Sequence, residues 1–137
     1  MKGFFLCAHR VLPTMLSRRS GRIVNFSSGA ANLPIESADD FLNSSYMASK
    51  AAVHRFSEAL AMETRTYGVS VFAISPGTVT TAMTREAFAS YGDDEDVWSP
   101  PELAADLVAR IGSGALDAYS GRYIHAVHDD WRTWSRD

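Results

Sequence analysis

The chain has 137 residues, 46% of them apolar and 21% charged, enough for one ordinary globular core. A net charge of -3 gives no electrostatic ground for a nucleic-acid partner, and Arg10, Arg18, Arg19 and Arg22 are too few and too dispersed to form a basic patch. The single cysteine, Cys7, excludes an internal disulfide and fits a reducing compartment.

Met1-Lys2 followed by Gly3 to Ala8 faintly resembles a signal start, but His9 and Arg10 interrupt it and no small-residue cleavage site follows. No stretch approaches the ~18 apolar residues of a membrane span. The expectation is a cytoplasmic protein with no membrane and no nucleic-acid partner.

Phe4, Phe5, Ala8, Val11, Leu12, Met15 and Leu16 recur at helical spacing, predicting a helix over 4–16 with a kink or late break at Pro13. Gly21 suits its C-terminal cap. A strand over 22–28 follows, and its broken alternation at Ile23, Val24 and Phe26 fits a strand covered on both faces. Ser27-Ser28-Gly29-Ala30-Ala31 then offers small residues at the end where ligands bind in open α/β sheets. Glu36, Asp39 and Asp40 lie in a loop over 32–44 without calcium-loop spacing and read as solvated.

The longest helix is expected over 45–67, capped by Ser44 or Ser45 and ended by Gly68. Tyr46, Lys50, Val53, Ser57 and Leu60 form one stripe; Ala48, Ala52, Phe56 and Ala59 form another that suits core or a subunit contact. His54 and Arg55 are assigned to a wetter side. Tyr46 and Lys50, four residues apart, share one face and can approach the same ligand. An ammonium beside a phenol favours the phenolate, and a phenol tuned in this way serves as a general acid or base near neutral pH.

Val69 to Ser75 reads as a second strand ended by Pro76-Gly77. A short helix is expected over 82–90, and Asp93-Asp94-Glu95-Asp96 reads as a solvated run. Ser99-Pro100-Pro101-Glu102 predicts a helix start with Ser99 as cap and Glu102 completing a capping box. Leu103, Leu107, Val108 and Ile111 give that helix its apolar side, and Gly112-Ser113-Gly114 ends it. A third strand is expected over 123–127. Trp131 and Trp134 are spaced to share one side of a helical turn. His125, His128 and Asp129 are too loosely placed for a metal site, and none is assigned. Strands alternating with helices predict an α/β fold with a parallel sheet and right-handed crossovers.

Parallel neighbours put their C-terminal ends on one edge, so Ser27-Ser28, Tyr46 with Lys50, and Pro76-Gly77 can converge. Three segments carry a resemblance: Gly21-Arg22-Ile23-Val24-Asn25-Phe26-Ser27-Ser28, Tyr46-Met47-Ala48-Ser49-Lys50-Ala51-Ala52, and Pro76-Gly77-Thr78-Val79-Thr80-Thr81-Ala82-Met83. In that order the chain resembles the short-chain dehydrogenase/reductase family over nearly its whole length. The resemblance implies a hydride-transfer oxidoreductase that uses NAD or NADP on a small carbonyl/alcohol substrate. It implies Tyr46 as acid/base, Lys50 as the group that tunes Tyr46 and holds the nicotinamide ribose, and Ser28 as the residue orienting the substrate oxygen. The turn at Pro76, Gly77 and Val79, with the Thr81 hydroxyl, would hold the nicotinamide carboxamide and nearby phosphates.

Two departures accompany it. The loop between Ser28 and Tyr46 is a few residues longer than is common in the family, which a surface loop tolerates. The chain also lacks the glycine-rich turn and the Asn-Asn-Ala-Gly segment of the family's N-terminal half. The expectation is therefore one partial domain over 1–137, the C-terminal portion of a Rossmann-like doubly wound sheet of three strands with flanking helices, without the N-terminal cofactor-binding half. Met1 would stand one residue after the family's tetrad asparagine, and the first strand would present an unpaired apolar edge. A homo-oligomer would form through the helices at 4–16 and 45–67. The alternatives are a catalytically silent fragment that pairs with a full-length relative, or a complete enzyme whose start has been misassigned.

Overall fold

The computed structural model describes residues 2–32, 44–87 and 97–135. Within them, helix α1 (Lys2–Arg18), strand β1 (Gly21–Phe26), helix α2 (Ser44–Thr64), strand β2 (Val69–Ser75), short helix α3 (Ala82–Ala87), helix α4 (Pro101–Gly112) and strand β3 (Tyr123–His125) follow in order. The three strands form a parallel sheet in the order β1-β2-β3. Ile23 pairs with Val71 and Ser75 with His125. The expected alternation of helix and parallel strand is therefore what forms, with β2 in the centre and all of its residues buried.

Strand periodicity of two divides the side chains cleanly. Val24, Phe72, Ile74, Ile124 and Ala126 join Leu107, Ile111, Leu116 and Trp131 in the larger core on the α4 side. Ile23 and Val71 join Ala8, Leu12, Phe56, Leu60 and Ala61 in a smaller core under α1 and α2. In α2 the stripe through Val53, Ser57 and Leu60 is the buried one, whereas Ala48 and Ala59 are exposed.

Several expectations are corrected. Helix α1 continues through Pro13 without the late break. Pro13 and His9, whose carbonyl loses its ladder donor, are both exposed, so solvent can take the freed acceptor. The cap of α1 is Arg19 rather than Gly21. Arg19 takes the left-handed conformation (φ 51°), and Ser20 N donates to Met15 O at 3.1 Å, the bond of a Schellman closure. The Arg19 guanidinium donates to Thr66 O at 2.6 Å, which helps hold this unusual backbone. Gly21 instead opens β1.

Gly68 does end its helix, after a 3-10 turn over Arg65–Tyr67, with φ 67°. A Cβ there would lie 2.6 Å from Arg19 O, so both conformation and space require glycine. Helix α4 is capped by Pro100 in an extended conformation, with no side-chain cap bond, so the Ser99 capping box does not form. Ser99 is drawn instead to the turn after β2, its N–H donating to Thr78 O at 2.9 Å. Strand β3 stops at His125, and the segment beyond it makes turns rather than a helix. Trp131 is buried, with its indole N–H on Ala126 O at 2.9 Å, and Trp134 stacks on Tyr119. The acidic residues Glu36, Asp39, Asp40 and 93–96, and the end of the helix expected over 82–90, lie outside the described residues. No helix among the described residues is long and apolar enough to cross a membrane.

Candidate active site

The side of the sheet facing α2 changes character along the strands. At their N-terminal ends it is apolar; toward their C-terminal ends it carries Asn25, Ser27 and Ser75, all buried. Each polar group has a partner that fixes an element. Asn25 Nδ2 donates to Ser57 Oγ at 2.9 Å, and Ser57 Oγ donates to Val53 O at 2.8 Å within α2. Ser27 Oγ donates to Lys50 O at 3.1 Å, anchoring the first turns of α2 to the end of β1. Ser75 Oγ accepts from Gly29 N at 3.2 Å and from Gly77 N at 3.4 Å.

The chain leaving β1 turns at Ser28. This residue is extended (φ -159°, ψ 152°) and caps a 3-10 turn over Gly29–Ala31, its Oγ accepting from Ala30 N at 3.3 Å. Across from it, Tyr46 and Lys50 lie on one flank of α2, both half-buried, as their spacing predicts. The Lys50 ammonium stands 5.5 Å from the centre of the Tyr46 ring and donates to Phe26 O at 2.9 Å. Burial lowers the Lys50 pKa from its ordinary value, because the charged form loses solvent.

The third piece is the turn after β2. Gly77 is left-handed (φ 82°), and a Cβ on it would fall 2.5 Å from Ser99 Oγ and 2.8 Å from Val127 Cγ2. Pro76, Gly77 and Val79 are half-buried there. Thr81 is exposed and serves α3: its Oγ1 accepts from Thr84 N at 3.1 Å, while Thr84 Oγ1 accepts from Thr81 N at 2.7 Å. Thr84 Oγ1 also donates to Val79 O. Ser28, Tyr46 and Lys50 thus sit on elements tied together at the ends of β1 and β2. The Pro76-Gly77 turn is linked to them through Ser75, and Thr81 is committed to a helix cap.

On the flank of α2 expected to be wetter, Arg55 is exposed and His54 is half-buried. His54 packs its ring 4.9 Å from that of Tyr123, and its Nδ1 is 3.1 Å from Asn32 Oδ1. The Tyr123 hydroxyl is buried and makes no hydrogen bond of good geometry. Its pKa is raised, first by burial; nearby Ser75 opposes the shift and Asp129 adds to it. His125 and His128 stack on each other, and His125 Nδ1 accepts from the backbone N–H groups of Val127 and His128. Among the described residues no group of three or more His, Cys, Asp or Glu is placed to hold a metal. Sequence reasoning missed Asn25, Ser57 and Ser75. For Asn25 and Ser75 the signal was a small polar residue near the C-terminal end of an otherwise apolar strand; Ser57 offered only its place in the buried stripe of α2.

Comparison with known proteins adds relatives to this geometry. The chain is 30% identical over 140 residues to the 3-oxoacyl-[acyl-carrier-protein] reductase FabG of Staphylococcus aureus, covering 91% of this chain and 51% of that protein. Among solved structures, a 3-oxoacyl-[acyl-carrier protein] reductase of Brucella melitensis superposes with a TM-score of 0.75 at 26% identity, over 91% of this chain and 47% of the other. Acetoin dehydrogenase of Enterobacter cloacae does so with a TM-score of 0.72 at 25% identity, over 91% and 50%. A variant of actinorhodin polyketide ketoreductase, solved with NADPH, gives a TM-score of 0.66 at 29% identity, over 81% and 47%. The chain spans about half the length of the curated relatives it matches. The sheet with its flanking helices is the corresponding portion of their Rossmann-type fold. Because the family model for short chain dehydrogenases matches residues 1–92, two thirds of its length, the chain belongs to the short chain dehydrogenase family.

Proposed function

We propose that this chain carries the proton-transfer and nicotinamide-side part of an NAD(P)-dependent oxidoreductase acting on a small carbonyl/alcohol pair. We read residues 1–137 as part of one Rossmann-like domain. The observation that carries this reading is the half-buried Lys50 ammonium beside the Tyr46 ring, on a helix pinned to the Ser28 turn. Tyr46 gives a proton to a carbonyl oxygen or takes one from an alcohol. Lys50 places a positive charge 5.5 Å from the centre of the Tyr46 ring, within reach of the same bound ligand. Ser28 orients the substrate oxygen, for which its hydroxyl can donate while accepting from Ala30 N.

The donor set fits the nicotinamide end of a dinucleotide. A cation and a phenol face one flank, and Gly77 brings backbone close without a side chain. Lys50, Tyr46, Pro76, Gly77 and Val79 would hold that end. When bound, the nicotinamide supplies or accepts the hydride, and the protein supplies position and proton transfer. Thr81 would contribute only by giving up its cap on α3. The chain contains no Thr-Gly-x-x-x-Gly-x-Gly turn for the pyrophosphate, so the 137 residues alone are expected to bind NADPH or NADH more weakly than micromolar or not at all.

Titration of the chain with NADPH, followed by amide NMR, tests this reading. Shifts should concentrate at Ser28, Tyr46, Lys50 and Gly77, and Tyr46→Phe should lower any ketone reduction by ~10²–10⁴-fold. Shifts centred elsewhere, or turnover unchanged in Tyr46→Phe, would sink it.

A second reading is association, as a homo-oligomer or with a full-length relative, through α1 and α2. Phe5 is 60% exposed beside Phe56, and Leu6 and Met62 are also exposed. Phe5→Glu should then shift the species seen in sedimentation toward monomer; an unchanged profile counts against it.

A further inference from the structure

Two turns of the candidate site meet on one buried hydroxyl. Ser75, the last residue of β2, is 2% exposed. Its main chain belongs to the sheet, with Ser75 O accepting from Ala126 N at 2.8 Å. Its side chain reaches the other way. Gly29, bonded to Ser28, donates to Ser75 Oγ at 3.2 Å, and Gly77, which follows Pro76, donates to the same oxygen at 3.4 Å. A hydroxyl has two acceptor sites, and here one backbone N–H from each turn occupies them.

The sheet ladder cannot supply this link. Ser27 N donates to Ile74 O at 2.7 Å, but beyond that bond the two backbones part. One enters the 3-10 turn after Ser28, and the other enters the left-handed turn at Gly77. The Ser75 side chain spans the point of divergence. With its hydroxyl removed, β2 would keep its ladder, while two backbone N–H groups would lose their acceptor.

We propose that Ser75 is a positioning residue that couples the Ser28 turn to the Pro76-Gly77 turn. It thereby fixes the group that orients the substrate oxygen relative to the turn on the nicotinamide side; this second step rests on the oxidoreductase reading above. Ser75 itself touches backbone, not reacting atoms.

Amide hydrogen exchange on the full chain decides the coupling. Thr64 supplies the control: it is buried, and its Oγ1 lies 2.9 Å from Leu60 O and 3.0 Å from Val69 O, at the opposite end of β2. Ser75→Ala should speed exchange at Gly29 and Gly77 together, by ~10-fold beyond any change at the β2 amides. Ser75→Thr should restore both, and Thr64→Ala should leave both unchanged relative to the strands. If the alanine variant does not fold, Ser75→Cys, which keeps the size but offers a poor acceptor, carries the same expectation. The coupling is overturned if either glycine stays as protected as in the wild type, or if Thr64→Ala loosens both alike. Nicotinamide mononucleotide added to the wild-type sample separates the two claims. Shifts centred away from Lys50 and Gly77 reject the oxidoreductase reading, while the exchange result still decides whether Ser75 joins the turns.

Discussion

The two faces of the sheet divide the work of the molecule. On the α4 side, Phe72, Ile74, Leu107, Ile111, Leu116, Ile124 and Trp131 make a continuous apolar core. On the α1 and α2 side, the apolar contact is confined to the N-terminal ends of the strands around Val71 and Leu60. The C-terminal ends there carry Asn25, Ser27 and Ser75, which bond to Ser57 and Lys50 of α2 and to the turn at Gly29. Apolar packing is non-directional and tolerates exchange of similar volumes, whereas hydrogen bonds fix orientation. One face therefore supplies most of the cohesion, and half of the other spends its interior on holding helix α2 and two turns in register.

Core truncation tests this division with the largest expected effect. Leu107 is fully buried at the centre of the larger cluster, so Leu107→Ala should cost ~2–5 kcal/mol in denaturant unfolding. Leu60, slightly exposed in the smaller cluster, should cost less on the same substitution, because its site is less enclosed. Equal losses at the two positions would mean that the faces share the load and that the contrast is wrong.

The polar half is probed by Ser57→Ala. It leaves the buried Asn25 amide without its acceptor on α2, at an expected cost of ~1–3 kcal/mol. Replacing both partners, Asn25→Leu with Ser57→Ala, should recover part of that loss while loosening the middle of α2 around Ser57 in hydrogen exchange. If the single variant is as stable as the wild type, the pair does not hold the helix.

How much of this was legible in the sequence follows from the same contrast. The stripe Val53-Ser57-Leu60 and the β-branched run of β2 announce their elements because burial dictates them, and the apolar rhythm of α1 announces a helix of which only Ala8 is buried. The i,i+4 placement of Tyr46 and Lys50 was readable for the same reason: helix geometry alone puts them on one flank. What could not be read was where competing local bonds would go. Arg19 takes the left-handed cap in place of Gly21, because the Schellman closure falls two residues earlier. Ser99 leaves its helix for the Gly77 turn, and Pro100 caps in its place. Thr81 is consumed by Thr84. His54 is covered by Tyr123, a contact between α2 and β3 that no local pattern encodes. Small polar residues choose among partners brought near by the tertiary fold, and the sequence records only that they have a choice.

The smallest predicted effect lies at the rim where the two faces meet, at His125, on the end of β3. Its Nδ1 accepts from two backbone N–H groups, each at 3.3 Å, which suits a neutral ring protonated at Nε2. Burial lowers its pKa below the ordinary 6.5, His128 adds to that shift, and Asp129 opposes it. Since the folded value lies below the unfolded one, the unfolded chain takes up its proton first as pH falls through 6.5. Stability from this group is therefore lost progressively below that pH, and the loss is complete once the folded ring is itself protonated. Well above pH 6.5 the ring is neutral in both states, and the group contributes no pH dependence there. His125→Gln should flatten this part of the profile: the wild-type denaturation midpoint should fall more steeply than the variant's between about pH 7 and about pH 5. Parallel curves over that range would show that protonating this ring does not disturb the turn after β3. The stacked pair would then be a surface feature rather than part of the support beneath Gly77.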